Sequence, residues 1–435
     1  MRFKFLFILI LCNYLFAQSL LNRAVGGNDL FGSARSYGMG LTHSVNANNT
    51  SAIRYNPSLL SYISKDQNLI VDFQLNSSFI KERRSILVKD YFGDFLTYAD
   101  YLNNDNFYNY IQGGTIINLK NITLATAFLP LTTFDYDYTE EVRGSADIED
   151  GDVGMKDPLV GYQIFNTSGR LNTLSLGFST GDLNNMDSQC YKKYNFGFGY
   201  HKILDTEIID DIHIDSLTTQ IENFSEVQDY YNKETFQGLG DYYSLGASYI
   251  DNQMIISFNI ESDLTIQTEG YEGFNFIDST GVISYLDNSQ FILSGINYYK
   301  PQKLNFGISY KSKNNSDLTV SAEYEINQIN DSNYNYLKDY NIYKLGFEYI
   351  LPSSTPIRAG LIYKTSPIVL IPDQSSITCG TGGKFKNIFY DLGISYSLFD
   401  YYYPDLFPVE GSLDNGFDKI TESKFDFIFT IRYLF

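Results

Sequence analysis

The sequence contains no tryptophan and only three cysteines among 435 residues. Cys12 falls in an apolar stretch near the N-terminus that has the features of a cleaved leader, so Cys190 and Cys379 would be the two that remain. Two cysteines are too few for the disulfide framework of a small secreted domain. A single bridge between them stays open, because the sequence does not give their separation.

Positive charge is scarce as well. The chain has 31 Lys and Arg residues against 51 Asp and Glu residues, a formal net charge of −20. Proteins bind nucleic acid through concentrated Lys and Arg side chains, so this balance excludes nucleic acid as a partner. We expect the excess carboxylates to lie in solvated loops.

Long apolar runs are missing beyond the N-terminus. Arg2 and Lys4 form a short basic start, residues 5–12 are apolar, and Ala17 is a suitable cleavage residue, so residues 1–17 are predicted to be a secretory signal peptide. No later run approaches the ~20 residues that a membrane-spanning helix needs. Any membrane span of the mature chain must therefore be built from strands.

Tyrosine, phenylalanine and glycine are abundant instead, with 38, 33 and 33 copies. Aromatic residues favour strands and form girdles at both interfaces of a membrane barrel. From residue 66 onward, alternating segments are separated by Asn, Asp, Gly and Pro clusters, which is the spacing of an up-and-down barrel. Segments of ~9–11 residues, the length of a membrane strand, number about fourteen. We therefore predict an all-β chain that forms a transmembrane antiparallel β-barrel of about fourteen strands.

A short pattern recurs within these segments: an apolar residue, Gly, two variable residues and Tyr. In each copy the first, third and fifth residues would face lipid, while Gly would face the lumen. Four copies have a polar neighbour that would also face the lumen: Ser248, Ser309, Glu348 and Ser395. The copies are Phe196–Tyr200, Leu245–Tyr249, Phe306–Tyr310, Leu345–Tyr349, Ala359–Tyr363 and Leu392–Tyr396.

The last segment carries large apolar side chains on one face, and the chain ends on an aromatic residue. These side chains are Phe425, Phe427, Phe429, Ile431, Tyr433 and Phe435. We predict that this strand closes the barrel, and it resembles the terminal signal that the outer-membrane assembly machinery recognises. The expected location is the outer membrane of a Gram-negative cell. The expected partners are that machinery, membrane lipid and lipopolysaccharide.

Two stretches break the alternation. Residues 100–111 and 215–231 have helical spacing. Because periplasmic turns are short, we place both stretches in the longest extracellular loops, near residues 97–112 and 205–240.

Motifs for chemistry are sparse. His43, His201 and His213 are scattered without partners at ligand spacing, and no nucleophile elbow or P-loop is present. We therefore expect neither an enzyme nor a cofactor. An acidic turn around Gly151 has oxygen ligands that suit Ca²⁺, although a solvated loop is the alternative. Its acidic residues are Asp147, Glu149, Asp150 and Asp152.

The N-terminal region carries a family resemblance. Ala34–Gly40 is followed by Asn49–Ser58, which includes an Asn-Pro turn, and two later stretches are Pro301–Tyr310 and Ile357–Tyr363. Together these segments resemble the FadL/TodX family of outer-membrane transport proteins, which includes PorV-like barrels. Residues 138–243 show no such match.

This resemblance implies a fourteen-stranded barrel, residues 66–435, plugged by an N-terminal hatch, residues 18–65. It implies passive uptake of long-chain fatty acids or other hydrophobic small molecules, in which the ligand moves toward a lateral gap in the wall after the hatch rearranges. A plug is also sensible on physical grounds, because a barrel of this size is too wide for its own side chains to fill. The alternative for residues 18–65 is a disordered tail.

Within the hatch, Gly38, Gly40, Asn56 and Pro57 would be the structural motif. Arg35 and Arg54 are the cations best placed to meet a ligand carboxylate. Alternatively, both arginines would pair with inward carboxylates such as Glu348 or Asp426.

Two other functions stay open at this stage. A PorV-like component of type IX protein secretion would share the N-terminal pattern, and a general porin would share the barrel. An operon for fatty-acid breakdown would favour uptake, whereas cargo proteins of the secretion system would favour the first alternative. A large steady current would favour the porin.

Overall fold

The structure is a computed structural model of the 435-residue chain. It describes residues 31–64, 67–119, 122–143, 159–180, 192–217, 230–236, 240–266, 270–274, 298–312, 317–330, 337–368, 371–404 and 417–435. In these residues no helix is both long enough and apolar enough to cross a membrane.

Fourteen antiparallel strands close into a barrel, which confirms the predicted fold class. With all strands numbered in chain order, the barrel strands are β1 (Leu69–Lys89), β2 (Phe95–Asn118), β3 (Ile122–Thr133), β6 (Arg170–Thr180), β7 (Lys192–Ile203), β10 (Asp241–Asp251), β11 (Met254–Glu261), β15 (Gln302–Lys311), β16 (Leu318–Gln328), β17 (Tyr340–Ile350), β18 (Pro356–Lys364), β19 (Gln374–Phe385), β20 (Ile388–Pro404) and β21 (Phe417–Leu434). Strand β21 closes the barrel against β1, from Leu434 opposite Ile70 to Lys419 opposite Ser85. The aromatic C-terminal strand thus has the predicted closing position.

The wall of the barrel is apolar outside and polar inside. On β17 the outward Leu345 and Phe347 are 47% and 46% exposed, whereas the inward Lys344 and Glu348 are 4% and 5% exposed. A water-soluble protein has the opposite arrangement, because its apolar side chains pack inside. An apolar belt around a polar interior matches lipid, so we treat the barrel as membrane-spanning.

The two ends of the barrel differ. At one end the connections are short, such as Asn252–Gln253 between β10 and β11 and Lys386–Asn387 between β19 and β20. The C-terminal Phe435 lies at this short-turn end, where its amide donates to the carbonyl of Leu69 at 3.0 Å. The connections at the other end, the long-loop end, are longer and carry additional strands.

The additional strands form two small sheets at the long-loop end. The first contains β4 (Tyr136–Arg143), β5 (Leu159–Ser168), β8 (Thr206–Ser216), β9 (Tyr230–Phe236) and β13 (Gly270–Phe274), and the second pairs β12 (Leu264–Ile266) with β14 (Tyr298–Lys300). The predicted loop near 205–240 therefore contains two strands. Of the stretch with helical spacing, only its ends, residues 215–216 and 230–231, lie in β8 and β9, and residues 218–229 lie outside the described part.

The predicted loop near 97–112 is also a strand. It lies within β2, whose lower half spans the belt with Phe107 and Ile111 exposed outside and Tyr108 buried inside. Above the belt, β2 continues to pair with β1. There its outward residues, such as Asn103 and Asp105, are polar and exposed. Because polar residues occupy both faces, the apolar alternation of a strand disappears from the sequence.

Residues 31–64 lie inside the barrel, and we call them the hatch. They form α1 (Ala34–Gly38), α2 (His43–Asn46), α3 (Ala52–Tyr55), a 3₁₀ helix (Pro57–Leu59) and α4 (Leu60–Ile63). The Asn56 side chain caps the 3₁₀ helix by accepting from Ser58 N, and Asn56 is extended, with φ −170° and ψ 90°. Pro57 requires this conformation of the residue before it, so the predicted fixed turn is present.

The apolar belt predicts that a charge on its outer face destabilises the barrel. Phe306→Arg places a charge on the outer face of β15, in the middle of the belt, and should destabilise the folded barrel by about 2–4 kcal/mol. Tyr402→Arg is the matched control, because Tyr402 is similarly exposed, at 54% against 47% for Phe306, but lies above the belt on β20. Urea titrations of folding into lipid vesicles measure both variants. An equal loss in the two would contradict the assigned depth of the belt.

Candidate functional site

The repeated motif of the strands is the surface on which the hatch rests. Its glycines all face the lumen, and a Cβ atom on any of them would lie closer than 3.0 Å to a hatch atom. We call these six residues the glycine collar: Gly197, Gly246, Gly307, Gly346, Gly360 and Gly393. The inward direction predicted for the motif glycine is confirmed in all six copies. Any larger residue would push the hatch away from the wall.

The hatch side of this contact is equally close. A Cβ atom on Gly38 would lie 2.9 Å from Cα of Gly380, and one on Gly40 would collide with the Leu345 carbonyl. Gly40 has a φ of +67°, a left-handed conformation that glycine adopts without strain. The predicted hatch motif thus includes two glycines that touch the wall directly.

The other two motif residues act on the opposite side of the hatch. Pro57 lies against Gly197, and the Asn56 side chain lies against Gly246. The Asn56 amide also donates to the carbonyl of Ser44 at 2.7 Å, which ties α2 to the turn before the 3₁₀ helix. Backbone contacts therefore reach strands on several sides of the barrel, and the hatch blocks its lumen at this level.

Inward carboxylates of the wall hold the hatch by hydrogen bonds. Glu323 accepts from Ser44 N and Oγ at 2.8 and 2.7 Å, and Asp72 accepts from Thr50 N and Oγ1 at 2.8 Å each. All four residues are buried. Because an unmade buried hydrogen bond to a charged group is costly, these contacts fix the hatch in one position.

Arg35 is tied to the wall near the short-turn end. Its guanidinium donates to both oxygens of Glu348, at 3.1 and 2.7 Å. Arg358 on the neighbouring strand also donates to Glu348, at 2.7 Å, and its Nη1 is 2.8 Å from Asp391. The alternative predicted for Arg35, pairing with an inward carboxylate, is thus what the structure shows.

Asp426, the other carboxylate considered for the hatch arginines, binds hydroxyl groups. It accepts from the hydroxyl of Tyr37 at 2.8 Å and from that of Ser78 at 2.6 Å. The inward carboxylates that the structure shows at the hatch arginines are Glu348 for Arg35 and Glu261 for Arg54. Asp426 faces the α1 part of the hatch, where Tyr37 projects toward the wall.

Arg54 lies at the centre of a buried cluster on the other side of the hatch. Its Nε is 3.2 Å from Oε1 of Glu261, and Nζ of Lys300 is 2.9 Å from the same oxygen. Arg54 is 1% exposed, and Glu261 and Lys300 are 0% exposed. Glu261 and Lys300 were not predicted from the sequence, although the alternation of the strands places the charged Glu261 at an inward position.

Arg54 also contacts an irregular part of the wall. Its Nη1 donates to the carbonyls of Pro130 and Leu131 at 3.4 and 3.5 Å. The register between β3 and β6 shifts between Pro130 and Thr132, because Pro130 has no amide hydrogen to donate. The same side chain thus joins the hatch, the ion pair and the bulge in β3.

An apolar cluster adjoins this region. Leu131, whose carbonyl faces Arg54, is fully buried and belongs to it. Its members are Leu131, Phe134, Leu171, Ile203, Ile208, Tyr242 and Ile266. The ammonium group of Lys300 lies 4.6 Å from the centre of the Tyr242 ring. Apolar side chains and cations are therefore brought together on the long-loop side of Arg54.

A cavity of about 330 Å³ lies between the hatch and the wall at the short-turn end. Hatch residues 45–48, the Asn252–Gln253 turn and the Arg35–Glu348 pair contribute to its lining. The hatch is therefore less tightly packed on this side than at the glycine collar.

The histidines are widely separated in the fold. His43 is in α2, His201 in β7 and His213 in β8. His43 Nδ1 is 2.6 Å from Ser36 Oγ, and the His43 ring stacks on Tyr55 with centroids 4.4 Å apart. Among the residues that the structure describes, no group of three or more His, Cys, Asp or Glu side chains could hold a metal ion.

Two further predictions, the Ca²⁺ site and the disulfide bridge, involve residues outside the described part of the chain. The acidic turn considered for Ca²⁺ falls in residues 144–158, which are not described. The same holds for Cys190, whereas Cys379 is exposed and has no disulfide partner in the described part of the chain. Neither the Ca²⁺ site nor the disulfide bridge is tested.

Comparison with solved structures identifies the fold. The chain is similar to a FadL homologue from Pseudomonas aeruginosa, with a TM-score of 0.63 and 12% identity over 94% of this chain and 100% of that one. It is also similar to two toluene transporters, TodX from Pseudomonas putida at 12% identity and TbuX from Ralstonia pickettii at 14% identity. Both have a TM-score of 0.51, and each comparison covers 94% of this chain and 99% of the transporter. No protein-family model and no curated protein sequence matches.

The chain is thus a fourteen-stranded barrel with a hatch in its lumen. More particularly, it has the FadL/TodX-type fold. The fold that the sequence resemblance implied is confirmed, and residues 31–64 occupy the place where that resemblance put a hatch.

The glycine collar predicts the effect of one added methyl group. In Gly360→Ala the new Cβ would meet the backbone of Met39 and Gly40, so the hatch should be displaced and single-channel openings in a planar bilayer should become more frequent. Gly383→Ala is the matched control on the next strand, because its Cβ would meet only the Tyr390 side chain. Equal conductance of the two variants would contradict the role of the collar.

His43 predicts a pH dependence of hatch docking. Burial holds the pKa of His43 well below its ordinary value of 6.5 in the docked hatch, whereas a released hatch would restore it. Below pH 6.5 the released form takes up a proton that the docked form does not, so docking weakens as the pH falls, by at most about tenfold per pH unit. Bilayer recordings at pH 7.5 and 5.5 should show more openings at the lower pH.

His43→Asn is the control for this experiment, because asparagine does not titrate in this range. The pH dependence of the openings should be smaller in the variant than in the wild type. An unchanged dependence would show that other groups cause it.

Proposed function

We propose that this protein is an outer-membrane transporter for the passive, hatch-gated uptake of long-chain fatty acids or other hydrophobic small molecules. Residues 1–17 would be the signal peptide, 18–65 the hatch and 66–435 the barrel. The terminal strand would be recognised by the outer-membrane assembly machinery, and lipid and lipopolysaccharide would surround the belt. The short-turn end would face the periplasm, because short turns are periplasmic in such barrels.

One observation carries the proposal: the hatch lies directly against the glycine collar, which is spread over six of the fourteen barrel strands. A wall shaped to this degree for the hatch supports a closed resting state rather than an open pore. Solutes could then pass only when the hatch moves. The hatch would respond to ligand if the ligand bound the open arrangement more tightly than the closed one.

The apolar cluster next to Arg54 supports a hydrophobic ligand. Ligand sites are mostly apolar with a few polar groups that fix orientation, and Leu131, Phe134 and Tyr242 adjoin the cations Arg54 and Lys300. The fold likeness to toluene transporters and to a FadL homologue agrees with this chemistry. We infer transport rather than catalysis, since those relatives are named as transporters or for their likeness to one.

The bulge in β3 supports a lateral route out of the lumen. Arg54 donates to the carbonyls at the bulge, so movement of the hatch would remove these hydrogen bonds where the ladder of the wall is already interrupted. We propose that the ligand leaves the lumen there, between β3 and β6. Arg35 binds Glu348 near the short-turn end of the barrel. It would therefore hold the hatch rather than the ligand.

The proposal is tested by comparing a hydrophobic and a polar solute. Vesicles that contain the reconstituted protein should take up a fluorescent long-chain fatty acid faster than empty vesicles, and should show no steady ionic current. Deletion of residues 18–65 should produce a large current, because the lumen then loses its plug. A large steady current with the hatch intact would favour a general porin.

Absence of any ligand uptake, together with a closed lumen, would contradict transport. In that case the PorV-like role in type IX secretion becomes the better hypothesis. Isolation of the protein from cells with bound secretion cargo would support it.

A further inference from the structure

The carboxylate of Glu261 is surrounded by cations from two different parts of the molecule. Arg54 and Lys300 approach its Oε1 at 3.2 and 2.9 Å, and Lys303 is its register partner on the adjacent strand. The second oxygen, Oε2, has no hydrogen-bond partner in the described part of the chain. Two cations on one carboxylate oxygen form the arrangement in which proteins bind a ligand carboxylate.

These cations would separate if the hatch moved. Arg54 belongs to α3 of the hatch, whereas Lys300 and Lys303 belong to the wall and its attached strand β14. If the hatch leaves, Glu261 retains its ion pair with Lys300, but Arg54 loses the carboxylate. Breaking a buried ion pair is strongly unfavourable because one charge is left uncompensated. The ion pair therefore resists hatch release mainly through the arginine.

An incoming anion could remove this obstacle. Arg54 adjoins the apolar cluster through the Leu131 carbonyl, at 3.5 Å, and Lys300 adjoins it through the Tyr242 ring. A molecule with a long apolar chain and one carboxylate would place its chain among these side chains and its anion at Arg54. A neutral molecule of the same length would fill the cluster but leave Arg54 bound to Glu261.

We propose that, in the closed state, the Glu261 carboxylate occupies the place at Arg54 that the ligand's carboxylate takes when the ligand binds. Replacement of Glu261 by the ligand at Arg54 then releases the hatch. This inference rests on the proposed transport function and narrows its ligands to amphiphilic carboxylates. Glu261 is thus a positioning residue: it does not bind the ligand but determines which ligands open the hatch.

A tryptophan in the hatch makes release visible, because the natural chain has none. In Tyr62→Trp, on α4, the emission should shift to longer wavelength as the hatch enters water. Hexadecanoic acid and hexadecan-1-ol have equal chain lengths and differ in charge. With Glu261 present, we expect half-maximal release at an about tenfold lower concentration of the acid, a typical size for coupling between two sites.

Glu261→Gln, made in the Tyr62→Trp background, should abolish this difference, because Arg54 no longer has a wall carboxylate to exchange. Glu325→Gln is the matched control. Glu325 is a buried inward carboxylate on β16, and the ion pairs described for it are with Lys303 and Lys344 of the wall. The control variant should keep the tenfold preference for the acid.

The inference is overturned if acid and alcohol release the hatch equally well with Glu261 present, or if Glu261→Gln keeps the preference. Resistance of the unheated barrel to SDS shows whether each variant folds. If Glu261→Gln does not fold, Arg54→Gln replaces it and should likewise lose the preference. If neither ligand binds the unsubstituted protein, the transport function itself fails, which is a different result from equal release by both.

Discussion

Close approach between two backbones, the hatch and the barrel wall, is the constraint on which the structure depends. At the six positions of the glycine collar, only glycine leaves room for the hatch. This explains why one short pattern recurs on so many strands: its apolar and aromatic residues face lipid, and its glycine faces the hatch. The same segment thus satisfies the membrane on one side and the plug on the other.

Hydrogen bonds and ion pairs with charged side chains of the wall hold the hatch at its other contacts. A polar hatch inside a polar lumen must satisfy its buried groups, and the wall supplies carboxylates such as Asp72, Glu261, Glu323 and Glu348 for this purpose. The collar fixes where the hatch lies, while the ion pairs determine how difficult its release is. Such pairs contribute less to net stability than to the selection of one arrangement, since their desolvation offsets much of their attraction. This suits a plug that must be both specific and removable.

The fold was largely predictable from the sequence because lipid imposes a strict alternation on every strand it touches. The fourteen strands, the closing position of Phe425 to Phe435 and the inward glycines follow from that alternation. Prediction failed above the belt: β2 continues where lipid no longer acts, and its Asn- and Asp-rich residues show no apolar period. Within the site, Arg35, Arg54, Asn56 and Pro57 could be identified from one segment. Glu261 and Lys300 could not be assigned to Arg54, because that contact joins residues more than 200 positions apart and depends on how the hatch is seated.

The central claim is that the hatch is a docked part of the folded barrel. Hydrogen exchange of backbone amides in the reconstituted protein tests it most directly, because exchange reports the free energy of local opening. The amides of residues 34–63 that are hydrogen-bonded in the hatch should exchange more slowly than loop amides at the long-loop end, and Gly360→Ala should accelerate their exchange without affecting the wall strands. Hatch amides that exchange as fast as those of an unfolded chain would contradict the account.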